Sequence, residues 1–136
     1  MAASAPFEAV TRGVRVTVHA VYLADQSKPE RGHHVWAYKV SIANEGRRTV
    51  QLLKRTWLIT DGQGRTQEVH GVGVVGEQPV LEPGESFDYT SATPLSTPSG
   101  FMRGTYHMVA TDTGEPFDAA IPTFSLDSPH QPGRVH

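Results

Sequence analysis

The chain has 136 residues, a formal net charge of −2 and a sequence pI of about 6.4. This length fits one domain, and the charge balance gives the whole chain no attraction to nucleic acid or to an anionic membrane surface. The lack of cysteine excludes disulfides, thiolate nucleophiles and cysteine-containing zinc sites. No secretory signal and no apolar run of about 18 residues occurs, so we expect a cytoplasmic protein without a membrane span.

Apolar residues recur at every second position in the first half of the chain, which is typical of half-buried β-strands. The stretches VRVTVHAVY (Val14–Tyr22) and HVWAYKVSIAN (His34–Asn44) each have one continuous apolar face. A third strand is predicted over Val50–Thr60. The turn sequence DGQG and the return segment Arg65–His70 complete a predicted hairpin.

The second half of the chain continues the same pattern in shorter segments. Strands are predicted at Glu85–Ser91, Phe101–Thr111 and Phe117–Leu126, with a loop rich in Pro, Ser and Thr over 92–100. Pro122 marks the last strand as an edge strand or as interrupted, because proline cannot donate to a strand ladder.

About seven to eight short strands, separated by turn residues and with almost no helical pattern, predict an all-β fold. The expected architecture is an antiparallel β-sandwich of immunoglobulin or fibronectin type III kind, and a β-barrel is the alternative. Residues 1–127 are expected to form this one domain. Residues 128–136 are polar and contain prolines, so we expect a flexible C-terminal tail.

The stretch HGVGVVG places Gly71, Gly73 and Gly76 at the G-x-G-x-x-G spacing of dinucleotide-binding loops. In those proteins a helix starts directly after the glycines and directs its N-terminal N–H groups at the phosphates. Here Pro79 and Pro83 exclude a helix of useful length. The glycines are therefore expected mainly to shape the backbone of a β connection.

An anion nest, in which backbone N–H groups of the loop converge on a phosphate or carboxylate, is the second interpretation. Two sets of candidate site residues follow. The candidate ligand or partner loop consists of Gly71, Gly73, Gly76 and Glu77. The candidate anion or partner contacts are Arg55, Trp57 and Arg65.

Patterns for catalysis or metal binding are weak in this sequence. His33 and His34 are neighbours, and no H-x-H or H-E-x-x-H pattern places two imidazoles on one face, so no metal ligand is assigned. Hydroxyl, imidazole and carboxylate side chains occur without a nucleophile elbow. We therefore expect no catalytic residue, no cofactor and a non-enzymatic protein.

Bulky apolar side chains stand on both faces of the predicted third strand between Leu53 and Ile59. A solvated face rarely carries so much apolar area, so we expect a loop or a partner protein to cover one face. Trp57 has two expected outcomes. If exposed, it would contact the partner; if buried, its truncation would cost several kcal/mol of stability.

Several linked segments strongly resemble the ApaG family in their order along the chain: WAYKVSIANEG, VQLLKRTWLITDGQG, EVHGVGVVGEQPVLEPGESFDYTS, GFMRGTYHM and IPTFSL. The resemblance runs from Pro6 to Leu126 and implies a fibronectin type III-like β-sandwich. Two departures stand out. Thr56 occupies the middle of R-T-W where many members have R-H-W, and Ala92 ends Y-T-S-A where many have Y-T-S-G.

The resemblance also implies a function. ApaG proteins are encoded beside a diadenosine tetraphosphate hydrolase and an rRNA methyltransferase, and their name is connected with cobalt resistance and magnesium efflux. In eukaryotes, ApaG-like domains are attached to F-box proteins and to a polymerase-interacting protein, as protein-binding modules are. The family provides no active site to map onto this chain.

We therefore expect a non-enzymatic protein-interaction module with an unidentified protein partner and an indirect link to divalent-cation (cobalt or magnesium) homeostasis. No nucleic acid partner is expected. The alternative is a small-ligand binder for nucleotide phosphates or their metal complexes, which would use the Gly71–Gly76 loop and a nearby arginine.

Overall fold

The structure, a computed structural model, describes residues 6–130. Within them it contains two 3-10 turns, Ala24–Gln26 and Pro29–Arg31, and nine strands. The strands are β1 (Phe7–Thr11), β2 (Val14–Tyr22), β3 (His34–Asn44), β4 (Val50–Asp61), β5 (Thr66–Val72), β6 (Val80–Leu81), β7 (Ser86–Leu95), β8 (Gly100–Ala110) and β9 (Pro116–Leu126).

The strands form two antiparallel sheets that pack as a sandwich. The first sheet has the order β1-β2-β3-β7, and the second has the order β5-β4-β8-β9 with β6 paired to β4. This architecture confirms the predicted β-sandwich. Strands β1 and β2 contact β9, which closes one side of the sandwich. On the other side β7 and β5 are edge strands, and this open side holds two cavities.

The core lies between the sheets and consists of the alternating apolar residues of the strands. A register shift in β4 falls between Leu52 and Lys54, where one extra residue is accommodated opposite β8. Because of this bulge, Leu52 and Trp57 are both buried although their spacing would place them on opposite faces of a regular strand. The bulge accounts for apolar bulk on both predicted faces, and Val74, from the loop after β5, belongs to the same buried core cluster as Leu52 and Trp57.

The predicted strands differ from the observed ones mainly in two places. β1 was not predicted, and β7 continues to Leu95 through residues expected to form a loop. β7 is an edge strand, so Pro94, which lies opposite Val35, is tolerated there without an N–H group. Pro122 lies in the edge strand β9, which is one of its two expected outcomes; the strand continues through it, with a register shift against β8 at this point.

The start of the predicted tail packs on one end of the sandwich. Ser128 is buried and donates its hydroxyl to the carbonyl oxygen of Pro98 at 2.5 Å. The indole N–H of Trp36 donates to the carbonyl oxygen of Asp127 at 2.8 Å. The remainder of the predicted tail, 131–136, lies outside the described residues, and the domain boundary at 127 stays a prediction. Across 6–130, no helix has the length and apolar content that crossing a membrane requires.

Candidate functional site

A cleft of about 350 Å³ lies on the open side of the sandwich, between the edge strands β5 and β7. It is lined by one cation, several apolar and aromatic side chains, and the hydroxyl residues of β7. The lining residues that matter below are Tyr38, Arg55, Trp57, Val75, Tyr89 and Ser91. A second cavity of about 260 Å³ lies farther along the same side, around Arg65, Asp61 and Ser96.

Arg55 points into the space between the sheets, because it lies beside the inward-facing Tyr106 on β8 and Gly71 on β5. A Cβ atom at Gly71 would lie 2.5 Å from the guanidinium carbon of Arg55. Glycine at this position therefore makes room for the arginine. Nη1 of Arg55 donates to the carbonyl oxygen of Gly73 at 2.5 Å, and within residues 6–130 Arg55 forms no ion pair.

The glycine loop is a tight turn that uses its own amides. Val74 and Glu77 exchange both backbone hydrogen bonds at 2.8 Å, and the N–H of Gly73 donates to the carbonyl oxygen of Leu53 at 2.8 Å. A Cβ atom at Gly73, where φ is 65°, would lie 2.2 Å from the carbonyl oxygen of Glu77. Gly76 has a φ of 81° at the second central position of the turn. This geometry supports the interpretation that the glycines shape the backbone.

Trp57 belongs to the core, with 3% of its surface exposed, so of its two expected outcomes the structure has the buried one. Its ring meets the ring of Tyr38 edge-on, with the centroids 5.5 Å apart. The stability prediction for a buried Trp57 therefore applies, and the prediction of an exposed partner contact at Trp57 does not. Together the two rings form an aromatic wall of the cleft.

Two buried hydroxyls lie next to this wall. Tyr89, which lines the cleft, and Tyr106 share a hydrogen bond of 2.5 Å between their oxygen atoms. Burial raises the pKa of the Tyr89 hydroxyl well above its ordinary value, and burial also raises the pKa of Tyr106. Both groups are neutral phenols at physiological pH, and one of them donates its hydroxyl hydrogen to the other.

Arg65 lies apart from this cleft and already has an acid partner. Its Nε donates to the Asp61 carboxylate at 2.7 Å, and its Nη2 donates to the hydroxyl of Ser96 at 3.2 Å. Asp61 also accepts the backbone N–H groups of Gln63 and Arg65. Partial burial opposes ionisation of Asp61, but these hydrogen bonds outweigh it and lower its pKa. Arg65 is therefore part of a hydrogen-bonded turn, and its charge is already paired with that of Asp61.

A row of polar side chains crosses the outer face of the second sheet and was not predicted. Thr56 Oγ1 lies 3.1 Å from His70 Nδ1 and 2.8 Å from His107 Nε2. His107 Nδ1 lies 3.0 Å from Asp118, and His70 Nε2 contacts Glu68. Four strands contribute these side chains, so only the strand register could have revealed the row.

The order of carboxylate, imidazole and hydroxyl in this row is that of a nucleophile triad. The row lies on the exposed side of the sheet, however, and its residues line neither the cleft nor the second cavity. This arrangement therefore supports a network of side chains that links neighbouring strands. Among the described residues, no group of three or more histidine or acidic side chains is placed to hold a metal ion.

Comparison with known proteins identifies the family of this chain. A family model described as ApaG domain matches residues 24–110. The chain belongs to the ApaG family. It is 64% identical to Protein ApaG of Rhodospirillum centenum over 91% of this chain and 95% of the relative. It is 60% identical to Protein ApaG of Paramagnetospirillum magneticum, over 96% and 99% of the two chains.

A solved structure of the same kind supports the sandwich. The crystal structure of an ApaA protein from Bordetella pertussis superposes with a TM-score of 0.83 at 49% identity. The match covers 87% of this chain and 95% of that one. Both the family membership and the fold expected from the resemblance are therefore confirmed.

Proposed function

We propose that this chain is a non-enzymatic, cytoplasmic protein-interaction module whose partner binds the open side of the sandwich at the glycine loop. The observation that carries the proposal is the backbone conformation and exposure of Val75. This residue has a φ of 42° and is 57% exposed at the edge of the cleft. A β-branched residue is strained in this region of backbone conformation, and an exposed valine gains little burial in return. A partner that covers Val75 would provide that missing burial.

Two more exposed valines flank the same loop. Val72 is 68% exposed at the end of β5, and Val80 is 51% exposed in β6. We call Val72, Val75 and Val80 the valine rim. Exposed apolar side chains grouped beside a cleft are the usual centre of a protein contact. The link to divalent-cation homeostasis that the family resemblance implies would then act through the partner protein.

Affinity capture from the native cell tests this proposal with a matched pair of variants. Val75→Asn should remove the apolar contact, and asparagine tolerates the positive φ of this position. Val21→Asn is the control, because Val21 is 49% exposed on β2 in the other sheet. We expect Val21→Asn to retain the protein captured by the unaltered chain and Val75→Asn to lose it. Equal capture by the two variants would reject the valine rim.

The nucleotide-phosphate alternative has less structural support, because the N–H groups of Val74 and Glu77 already bond to each other's carbonyl oxygens and that of Gly73 donates to Leu53 on β4. A thermal shift with a dinucleoside polyphosphate, with and without magnesium or cobalt, separates the two hypotheses. Under the interaction proposal the melting temperature stays constant. A rise with ligand concentration would favour the alternative, because a ligand that binds the folded state stabilises it.

A further inference from the structure

In the part of the chain that the structure describes, the cleft is lined by a single cation and an apolar wall and by no acidic residue. Arg55 supplies the charge, and Nη1 is the one guanidinium nitrogen for which a hydrogen bond occurs among residues 6–130. Arg55 is only partly exposed. A guanidinium in such a place, with donors left over and no carboxylate beside it, favours an anion that offers oxygen acceptors.

Two further donors line the same cleft without a partner. The indole N–H of Trp57 and the hydroxyl of Tyr38 form no hydrogen bond within the described residues. Both side chains are more than nine-tenths buried. Since no buried side-chain nitrogen or oxygen atom in this part of the chain lacks a partner, these two polar atoms have access to solvent. Because both residues line the cleft, we infer that the cleft is where these two atoms meet solvent.

We propose that the cleft binds a small carboxylate that carries one apolar group. The carboxylate accepts from Arg55 and from the free donors of the wall, while the apolar group packs against the ring of Trp57. The volume of about 350 Å³ is near the lower end for ligand pockets and fits a molecule with one ring. This site goes beyond the interaction module; Val75 of the valine rim also lines the cleft, but the carboxylate site rests on Arg55 and the aromatic wall.

Hydrocinnamate, a phenyl ring joined by two methylenes to a carboxylate, is a suitable probe. Hydrocinnamide is its matched control, since it has the same shape without the charge. The chain contains two tryptophans, so a nitrogen–proton correlation spectrum gives two indole signals. Trp57 reports on the cleft, and Trp36 is the internal control because it does not line the cleft and its N–H is already bonded to the carbonyl oxygen of Asp127.

We expect millimolar hydrocinnamate to shift the Trp57 indole signal and to leave the Trp36 signal in place. Hydrocinnamide should bind about tenfold more weakly or not at all, because a neutral amide gains less from the guanidinium. Equal shifts with the acid and the amide would overturn the assignment. So would movement of the Trp36 signal alone, or no movement of the Trp57 signal.

Substitutions inside and outside the cleft test where hydrocinnamate binds. Arg55→Gln should weaken hydrocinnamate about tenfold or more. The control Arg103→Gln, on the outer face of the same sheet, should bind as the unaltered chain does. Ser91→Phe, which fills the cleft from β7 and keeps Arg55, should also abolish the shift. Equal losses in the Arg55 and Arg103 variants would overturn the proposal.

Two further results bear on the identity of the ligand. Binding of a peptide that ends in a free phenylalanine carboxylate, without binding of hydrocinnamate, would overturn the assignment to a small molecule. A chain that loses hydrocinnamate through Arg55→Gln but still captures its protein partner would support separate sites. The carboxylate site and the valine rim can therefore fail independently.

Discussion

Two arginines on the open side of the sandwich have different surroundings. Arg65 is paired with the Asp61 carboxylate and with Ser96, and residues of a hydrogen-bonded turn line the cavity beside it. Among residues 6–130, Arg55 bonds only to the backbone carbonyls of Val72 and Gly73, and it lies beside a wall of buried aromatic rings. The sequence nominated both as anion contacts. The comparison shows that the partner of an arginine, rather than its presence near a loop, decides whether its charge is available to a ligand.

The aromatic wall beside Arg55 gives the largest expected effect. Trp57→Ala should lower the free energy of unfolding by about 3–5 kcal/mol, because truncation of a buried aromatic residue removes packing and leaves a cavity. Phe101→Ala is the control, since Phe101 is 39% exposed on the next strand. Urea unfolding should show a much smaller loss for that variant. Equal losses would mean that Trp57 is not part of the core.

Gly71→Ala separates the position of Arg55 from the stability of the fold. A methyl group at Gly71 would displace the guanidinium, which is the flexible end of a long side chain. We therefore expect hydrocinnamate binding to fall about tenfold, while the free energy of unfolding changes by less than about 1 kcal/mol. Titration in the correlation spectrum and urea unfolding measure the two effects. Unchanged binding would show that the position of Arg55 does not matter for the ligand.

Relief of the strained turn beside Arg55 should raise stability. Val75→Asn should increase the free energy of unfolding by about 1 kcal/mol, because asparagine tolerates a positive φ better than a β-branched residue does. The same variant should lose partner capture. A lower melting temperature for Val75→Asn than for the unaltered chain would contradict this account of the turn, because relief of backbone strain should stabilise the fold.

The smallest effect concerns pH and belongs to the Arg65 region. Folding lowers the pKa of Asp61, so its ionised form stabilises the folded state above the unfolded pKa of about 4. That contribution is lost as the pH falls through the folded pKa. The stability difference between the unaltered chain and Asp61→Asn should therefore shrink in acid. For Arg55→Gln, urea unfolding should show no such dependence, since no carboxylate of the described residues pairs with Arg55. A constant difference for Asp61→Asn would contradict the assignment.

Much of the fold was predictable because strand residues alternate between core and solvent. The predicted bounds of β2 and β3 coincide with the observed ones, since both strands lie between neighbours on each edge. β7 was predicted too short because Pro94 is acceptable only on an edge strand, and the edge is a property of the whole sheet. Strand order likewise depends on long-range pairing that no short segment specifies.

The candidate site was predictable in its residues and less so in their arrangement. Arg55, Trp57 and the glycine loop were all nominated, and the structure brings Arg55 and Trp57 to one cleft beside the loop. Their inward orientation depends on the bulge at Leu53, and the need for Gly71 depends on a side chain from another strand. Both features arise from the pairing of strands that are distant in sequence.

Site-specific photo-crosslinking in the native cell tests most directly whether the open side is the functional face. A photoreactive side chain would replace Val75 in one sample and Val21, on the other sheet, in the second. Our account predicts that a covalent adduct with one partner protein forms from position 75 and not from position 21. An adduct from position 21 alone, or the same adduct from both positions, would contradict it.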